Sequence, residues 1–304
     1  ANIHGGGYGS ATRVLGSVNL NVGSGCGATS GATVYGDVYG GSAMGQTNGD
    51  GSLTSGSVTN VNLYKGIING GLYGGGLGDA SNPANVWGPV AVKVFGGSVR
   101  TNDGTGENGS GGVFGCNNVN GSPRDTVTVD IYGTDPAEEG HEYALYAVYG
   151  GGNRSDYSGV PTVTIHGCNN RIEYVYGGGN ASDVDGTNVT IWGGTIGNAF
   201  GGGNGYGESN PGANITSNGT NLTIHGGTIS AAFGGSNQKG YINNTITVTV
   251  VDQHESGSDP CGNAYGDCGG SIVELYGGGN VAEAKTSENV YISPNVTIKS
   301  CDFE

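Results

Sequence analysis

Two short sequence phrases alternate along the whole chain, and this repetition constrains the fold more than any other feature. The first is an aromatic residue followed by two glycines, often extended to Val-Tyr-Gly-Gly-Gly-Asn, and the second has the pattern Val-Thr-Ile. A chain that repeats one strand-and-turn unit over its full length is typical of a solenoid. The aromatic residues are Tyr39, Tyr73, Phe114 (in a degenerate copy), Tyr149, Tyr176, Phe200, Phe233 and Tyr276, and the second phrase begins at Val18, Val61, Val92, Val127, Val163, Val189, Leu222, Ile246 and Val296.

Composition decides between a helical and a β solenoid. The chain has 67 glycines in 304 residues and its apolar phrases are rich in β-branched residues; glycine is a poor helix former, and β-branched residues favour strands. The tightest repeat, from Tyr176 to Phe200, takes 24 residues, which suits one turn of a three-sided β-helix. With Ile3-His4-Gly5 as a first, worn aromatic phrase, we predict one all-β domain over residues 1–304: a parallel β-helix, or β-solenoid, of about nine coils with loop insertions.

Alternation within Val-Thr-Ile predicts apolar side chains inside and threonines outside. The predicted outer column comprises Thr128, Thr164, Thr190, Thr223, Thr247 and Thr297. Two residues further on the same face come Tyr64, His166, Trp192, His225 and Lys299. Sugars pair apolar faces with aromatic rings and hydroxyls with polar neighbours. We therefore predict a carbohydrate platform, with an ordinary solvated β-face as the alternative; its residues are Thr164, His166, Thr190, Trp192, Thr223 and His225.

A column of asparagines follows the aromatic residues by four positions. It is predicted to form a structural ladder in which side-chain amides hydrogen-bond from coil to coil, with ligand binding as the alternative. The preceding glycines suggest a sharp turn with positive φ and close backbone approach. The aromatic column itself is left with three orientations: inward, outward over the glycines, or exposed as a sugar-stacking strip. The asparagines are Asn118, Asn153, Asn180, Asn204, Asn237 and Asn280.

Charge and spacing argue against several ligand classes. The net charge of −15 opposes nucleic-acid binding. His166 and His225 are expected roughly 9.6 Å apart on neighbouring-but-one coils, too far to share zinc comfortably. Acidic loops raise calcium as a candidate, but their spacing matches no calcium loop. We expect no metal and no cofactor, and no membrane insertion by this segment, which has no transmembrane run.

The six cysteines indicate an oxidising compartment. Cys261 and Cys268 close a small loop and are the pair that we predict to be bonded, in a structural role. Cys168 and Cys301 share a column but are expected on the order of 19 Å apart, beyond disulfide reach. The pairing of Cys26 and Cys116 stays open.

An enzyme of this architecture needs carboxylates that converge on one face. The nearest constellation, and only a weak catalytic candidate, is formed by Asp156, Asp183, Asp185, Glu173 and Arg171. No coil departs from the repeat toward a dense polar cluster, so the sequence argues against catalysis more than for it.

The repeated phrases resemble the right-handed parallel β-helix repeats of bacterial cell-surface proteins, the adhesin-like or passenger-type solenoids. They are also similar in outline to polysaccharide lyases and hydrolases of the pectin-lyase-like type, although no specific family is assigned. The resemblance implies a right-handed coil, an extracellular or cell-surface location, and glycans or other surface proteins as partners.

The expected function is a non-enzymatic structural or adhesion module, in a fragment or subunit of a larger surface assembly. It would contact glycans through the aromatic and threonine face or through inserted loops. The first alternative is a polysaccharide lyase or glycoside hydrolase of β-helix type. The second is a self-assembling filament, formed by end-to-end association, or an ice-binding solenoid.

Overall fold

The computed structural model describes residues 1–100, 111–137, 140–206 and 212–299. Within these ranges no residue is helical, and the pairings between neighbouring strands are parallel. The all-β prediction is confirmed. The parallel strands form stacked sheets of the kind found in a β-solenoid.

The aromatic phrases form one sheet, here called the aromatic sheet. Its main path runs through the strands in chain order, so each repeat pairs with the next. Ile3 and His4 pair with Val38 and Tyr39, which confirms the first worn phrase as a strand of this sheet. The path contains β1 (Ile3–His4), β5 (Val38–Tyr39), β9 (Leu72–Tyr73), β12 (Gly112–Phe114), β14 (Leu145–Tyr149), β16 (Arg171–Tyr176), β18 (Thr195–Phe200), β20 (Gly227–Phe233) and β22 (Gly270–Tyr276).

The Val-Thr-Ile phrases form a second sheet, the threonine sheet. Along β3 the residues are alternately buried and exposed, as the sequence alternation predicts. Its strands also pair in chain order: β3 (Val18–Val22), β7 (Thr59–Leu63), β10 (Val90–Val94), β13 (Val127–Ile131), β15 (Thr162–Ile165), β17 (Val184–Ile191), β19 (Ile215–Ile224), β21 (Ile246–Val251) and β23 (Asn295–Lys299).

Shorter pairings complete the coil. β4 (Ala32–Val34), β8 (Gly66–Ile68) and β11 (Ser98–Val99) join the aromatic sheet off its main path, and β2 (Arg13–Val14) pairs with β6 (Gln46–Thr47). A third line of parallel bridges continues from β6 and recurs further along the chain: Thr47 with Val86, Val86 with Pro123, Tyr157 with Val184, Val184 with Ile215, and Ile215 with Ile242. The chain therefore pairs with the preceding repeat along three lines.

The register of the threonine sheet differs from the predicted one at three phrases. Thr164, Thr190 and Thr223 occupy one row as expected. In the neighbouring row, by contrast, Asn19 pairs with Asn60, Thr128 with Thr162, and Thr247 with Asn221. All three phrases begin two residues early, and a shift of two keeps every side chain on its predicted face.

The interior is an aliphatic cluster, and the aromatic column packs separately from it. Val38 and Leu72 belong to the main cluster, whereas the rings that follow them form a second cluster with Leu77, Tyr146 and Tyr174 at its edge. Successive strand residues point to opposite faces, so the aliphatic residue fills the coil and the ring packs outside it. The rings nevertheless bury one another, in a column of His4, Tyr39, Tyr73, Phe114, Tyr149, Tyr176, Phe200, Phe233 and Tyr276 with centroids 4.5–5.0 Å apart.

The asparagine column is a continuous chain of amide hydrogen bonds beside these rings. Each Nδ2 donates to the Oδ1 of the preceding asparagine, as in the 2.8 Å bond from Asn180 to Asn153. Tyrosine hydroxyls join the chain: Tyr149 donates to Asn180 and Tyr176 to Asn204. This explains the preference for tyrosine, since a buried hydroxyl needs a partner. The remaining links run from Asn153 to Asn118, Asn204 to Asn180, Asn237 to Asn204, and Asn280 to Asn237, at 2.8–3.0 Å.

The glycine directly after each aromatic residue is required by close backbone approach. A Cβ at Gly177 would lie closer than 3.0 Å to the carbonyl oxygen of Gly201 in the next repeat, a separation that real Cβ atoms do not show. None of these glycines has a positive φ, so that part of the expectation was wrong. The same clash would occur at Gly40, Gly74, Gly115, Gly150, Gly201 and Gly234.

Candidate functional site

Residues 252–269, between β21 and β22, form a strap held to the solenoid by two disulfides. Cys261 is bonded to Cys26, and Cys268 is bonded to Cys168. The predicted Cys261–Cys268 pair is therefore wrong. Cys301 lies outside the described residues, and Cys116 is a buried free thiol. Two disulfides are characteristic of an oxidising, non-cytoplasmic environment.

The path of the strap explains this pairing. Cys26 follows β3 and Cys168 follows β15, and three strands of the threonine sheet lie between them. Four strand spacings amount to about 19 Å. Cys261 lies at the tip of a short hairpin in which Ser258 pairs with Ala264, and seven residues of extended chain reach about 23 Å, so the chain from Cys261 to Cys268 is long enough to serve both partners. Cysteines bonded to partners that far apart are beyond disulfide reach of each other.

A second column of rings lies on the outer face of the solenoid, next to the strap. Tyr64, Phe95, Tyr132 and His166 stack in order, with centroids 4.4–5.0 Å apart, and Tyr265 of the strap lies parallel to His166 at 5.6 Å. The sequence prediction missed Phe95 and Tyr132. Counting two residues on from Lys93 and Asp130, which pair in the threonine sheet, would have found both.

His166 is clamped between two carboxylates and is not an open ligand contact. Its Nδ1 lies 2.5 Å from Glu255 Oε1, and its Nε2 lies 3.4 Å from Asp130 Oδ1. Glu255 also accepts the backbone N–H of Gly167. Burial lowers the pKa of His166, but hydrogen bonds to Asp130 and Glu255 and their negative charges outweigh it, so the net pKa is raised.

Trp192 and His225 form a separate stacked pair, with centroids 3.8 Å apart and planes 9° from parallel. Both are half-buried, as are Thr190 and Thr223 in the adjacent row. Burial lowers the pKa of His225, whose Nδ1 is buried without a hydrogen-bond partner. The predicted platform is thus divided: Trp192, His225 and the threonines remain partly open, whereas His166 is covered by the strap.

Three of the weak catalytic candidates lie beside the third line of parallel bridges, where they accept hydrogen bonds between successive repeats. Asp156 accepts the backbone N–H of Asp183, and Asp183 accepts that of Asn214. Asp185 accepts a hydrogen bond from the hydroxyl of Thr216. Burial raises the pKa of Asp183, against the hydrogen bonds from Asn214. These carboxylates link successive repeats.

The other two candidates, Arg171 and Glu173, lie in β16 of the aromatic sheet, on a different side of the coil. Glu173 lines a cavity of about 260 Å³ with Arg100, Gly140, His141, Glu142, Tyr143 and Tyr146. Arg171 Nε donates to the carbonyl oxygen of Glu142 beside it. The structure therefore separates the predicted catalytic constellation and gathers a different set of polar residues around Glu173.

Comparisons with known proteins gave no match: no protein-family model, no curated protein and no solved structure is significantly similar to the chain. In the part of the chain that the structure describes, no cluster of three or more His, Cys, Asp or Glu residues could hold a metal ion. The same part contains no helix that is long and apolar enough to cross a membrane.

Proposed function

We propose that this chain is a non-enzymatic structural and adhesion module, at the cell surface or outside the cell, that contacts glycans through its outer face. The observation that carries the proposal is the use of its polar residues. The asparagine column, Asp156 and Asp183 are all occupied in hydrogen bonds between successive repeats. Such groups stabilise a rod and leave it little convergent chemistry.

In this proposal the fold is a right-handed parallel β-helix of about nine coils. Three lines of parallel pairing and nine strands in each main sheet path, within the described residues, support the coil number. Right-handed connection of parallel strands is the general rule for such crossovers, which supports the handedness.

The extracellular location is supported by the disulfides, which fasten the strap over 235 and 100 residues of sequence. Reducing compartments do not maintain such bonds. The net charge of −15 favours solubility at an exposed surface. Glycans or other surface proteins would be the partners.

The glycan contact is assigned to Trp192, stacked on His225 and flanked by Thr190 and Thr223. A partly open indole can pack against the apolar face of a sugar while the neighbouring hydroxyls bind its polar edge. Strap residues border this patch, because Cys268 packs against Gly193.

A glycan array tests the assignment with the wild type, Trp192→Ala and Tyr35→Ala. Tyr35 is an exposed aromatic residue elsewhere on the molecule and serves as the matched control. We expect binding by the wild type and Tyr35→Ala and a loss of at least about tenfold in Trp192→Ala, since truncating a tryptophan that anchors an interface typically costs about 2 kcal/mol or more. Binding by none of the three, or equal binding by all, would refute it.

A further inference from the structure

The cavity beside β16 combines carboxylates with aromatic rings and is not used by the Trp192 patch. It lies between residues 140–146 and the aromatic sheet, and its volume is about 260 Å³. Pockets for drug-sized ligands begin at about 300 Å³, so this cavity has room for a single small ring.

The charge of Glu142 acts on the second carboxylate of the cavity, Glu173. Burial raises the pKa of Glu173, and the charge of Glu142 raises it further, against a hydrogen bond with Tyr174. The pKa of Tyr143 is raised by burial and by both carboxylates, against the positive charge of Arg171. A positive group placed between Glu142 and Glu173 would relieve this repulsion.

The cationic side chains nearby have other contacts. Arg171 Nε donates to the backbone carbonyl of Glu142, not to its carboxylate. Arg100 is only 7% exposed and is engaged in an interaction of its own. Neither arginine offsets the effect of burial and of Glu142 on the pKa of Glu173, so the repulsion between the two carboxylates is one that an added cation would relieve.

Aromatic residues form the rest of the wall. Tyr146 meets Tyr174 edge to face, with centroids 5.5 Å apart. Tyr143 reaches over the next strand, where a Cβ at Gly197 would lie 3.4 Å from its hydroxyl oxygen. Tyrosine faces attract cations, most strongly when the cation is an organic ammonium that is only partly hydrated.

We propose that this cavity binds the free ammonium group of an amino sugar, with Glu142 and Glu173 as counter-ions and Tyr143 and Tyr146 against the ring. The inference deepens the proposed function and rests on it, because it names a glycan class and adds a second contact site. A metal ion fits less well, since no metal-holding cluster occurs among the described residues.

Three ligands that differ mainly at one group provide the test: glucosamine, glucose and N-acetylglucosamine, titrated into the full chain by calorimetry or ligand-observed NMR. We expect glucosamine to bind and the two neutral sugars to bind at least about tenfold more weakly. At pH values where the sugar amine is already fully charged, affinity should fall as the pH is lowered further and Glu173 takes up its proton, because the charge of Glu173 is then lost.

Glu173→Gln and Glu142→Gln should each weaken glucosamine binding about tenfold or more. A tenfold loss corresponds to about 1.4 kcal/mol, the loss expected for one ion pair. Because Glu142 is exposed, the Glu142→Gln protein should fold normally even if Glu173→Gln disturbs folding. Glu288→Gln, an exposed carboxylate near β23, is the control and should change nothing.

Equal binding of all three sugars, no binding of glucosamine, or unchanged binding by both glutamine variants would overturn the inference. These failures are distinct from failure of the proposed function. If glucosamine does not bind while the array still shows binding that depends on Trp192, the Trp192 patch stands and the cavity assignment is wrong.

Discussion

Glu255 Oε1 lies 2.5 Å from Nδ1 of His166, although 89 residues separate them in the sequence. The contact joins the strap to the outer ring column. Because the side chains are only 11% and 14% exposed, the pair is shielded from solvent and should contribute to how firmly the strap is held.

The first prediction concerns the pH dependence of this contact. The pKa of folded His166 is raised above its usual value near 6.5. The stabilisation that protonated His166 gives to the folded protein is therefore fully present below about pH 6.5, and it is lost as the pH rises through the raised pKa. His166→Gln should remove this dependence and lower the free energy of unfolding at acid pH by about 1.5–3 kcal/mol. Urea unfolding across the pH range measures both.

His254→Gln is the control for that experiment. His254 also faces a carboxylate, Asp267, but both side chains are more than 60% exposed, so their pairing should contribute little. If wild type and His166→Gln show the same change of stability with pH, the clamp is not formed as described.

The second prediction concerns disulfide connectivity. Peptide mapping under non-reducing conditions should find Cys26 linked to Cys261 and Cys168 linked to Cys268. Chymotryptic cleavage after Tyr265 separates the two strap cysteines and makes the assignment unambiguous. Replacing Cys168 and Cys268 together by serine should cost about 2–4 kcal/mol, because the bond closes a long loop. A peptide that links Cys261 to Cys268 would contradict the strap.

The third prediction concerns the asparagine ladder. Asn180 donates to Asn153 and accepts from Asn204 and from the hydroxyl of Tyr149, so Asn180→Ala removes one hydrogen bond from each of three buried polar groups. Each such group costs about 1–3 kcal/mol, and the denaturation midpoint should fall accordingly. Asn198→Ala, at a half-buried position of β18 outside the ladder, should have a much smaller effect. Equal effects would show that the ladder contributes nothing.

The fourth prediction concerns close backbone approach. Gly177→Ala must push the strand of Gly201 away, which should destabilise the protein by about 1–3 kcal/mol or more. Gly16→Ala is the matched control, because a Cβ there meets nothing within 4 Å. Thermal unfolding of the two variants compares them directly, and a stable Gly177→Ala protein would disprove the packing argument.

The repeat predicted the strands well, because each phrase encodes the same alternation and each coil pairs with a copy of itself. The buried apolar rows of β7, β10 and β15 follow directly from their valines, leucine and isoleucine. Register was less secure. A two-residue shift at Val18, Val127 and Ile246 leaves the alternation unchanged, so the sequence pattern alone did not reveal it.

The strap and its contacts could not be predicted in the same way. Residues 252–269 carry no repeat, and their path depends on side-chain contacts such as Glu255 with His166 and Tyr265 over the same ring. Proximity in sequence favoured a Cys261–Cys268 bond, whereas the actual partners are 235 and 100 residues away. The grouping of Glu142 with Glu173 likewise arises from a loop that folds back on its own sheet.

The central claim, a module that holds glycans without cleaving them, is tested most directly by one incubation. The wild-type chain is mixed with each polysaccharide that it binds on the array, and sedimented protein and newly formed reducing or unsaturated ends are measured together. We predict that the wild-type protein sediments with the polysaccharide and that the Trp192→Ala protein stays in the supernatant. We also predict that no new chain ends form. Continued formation of chain ends that Glu173→Gln abolishes would contradict the account and establish an enzyme.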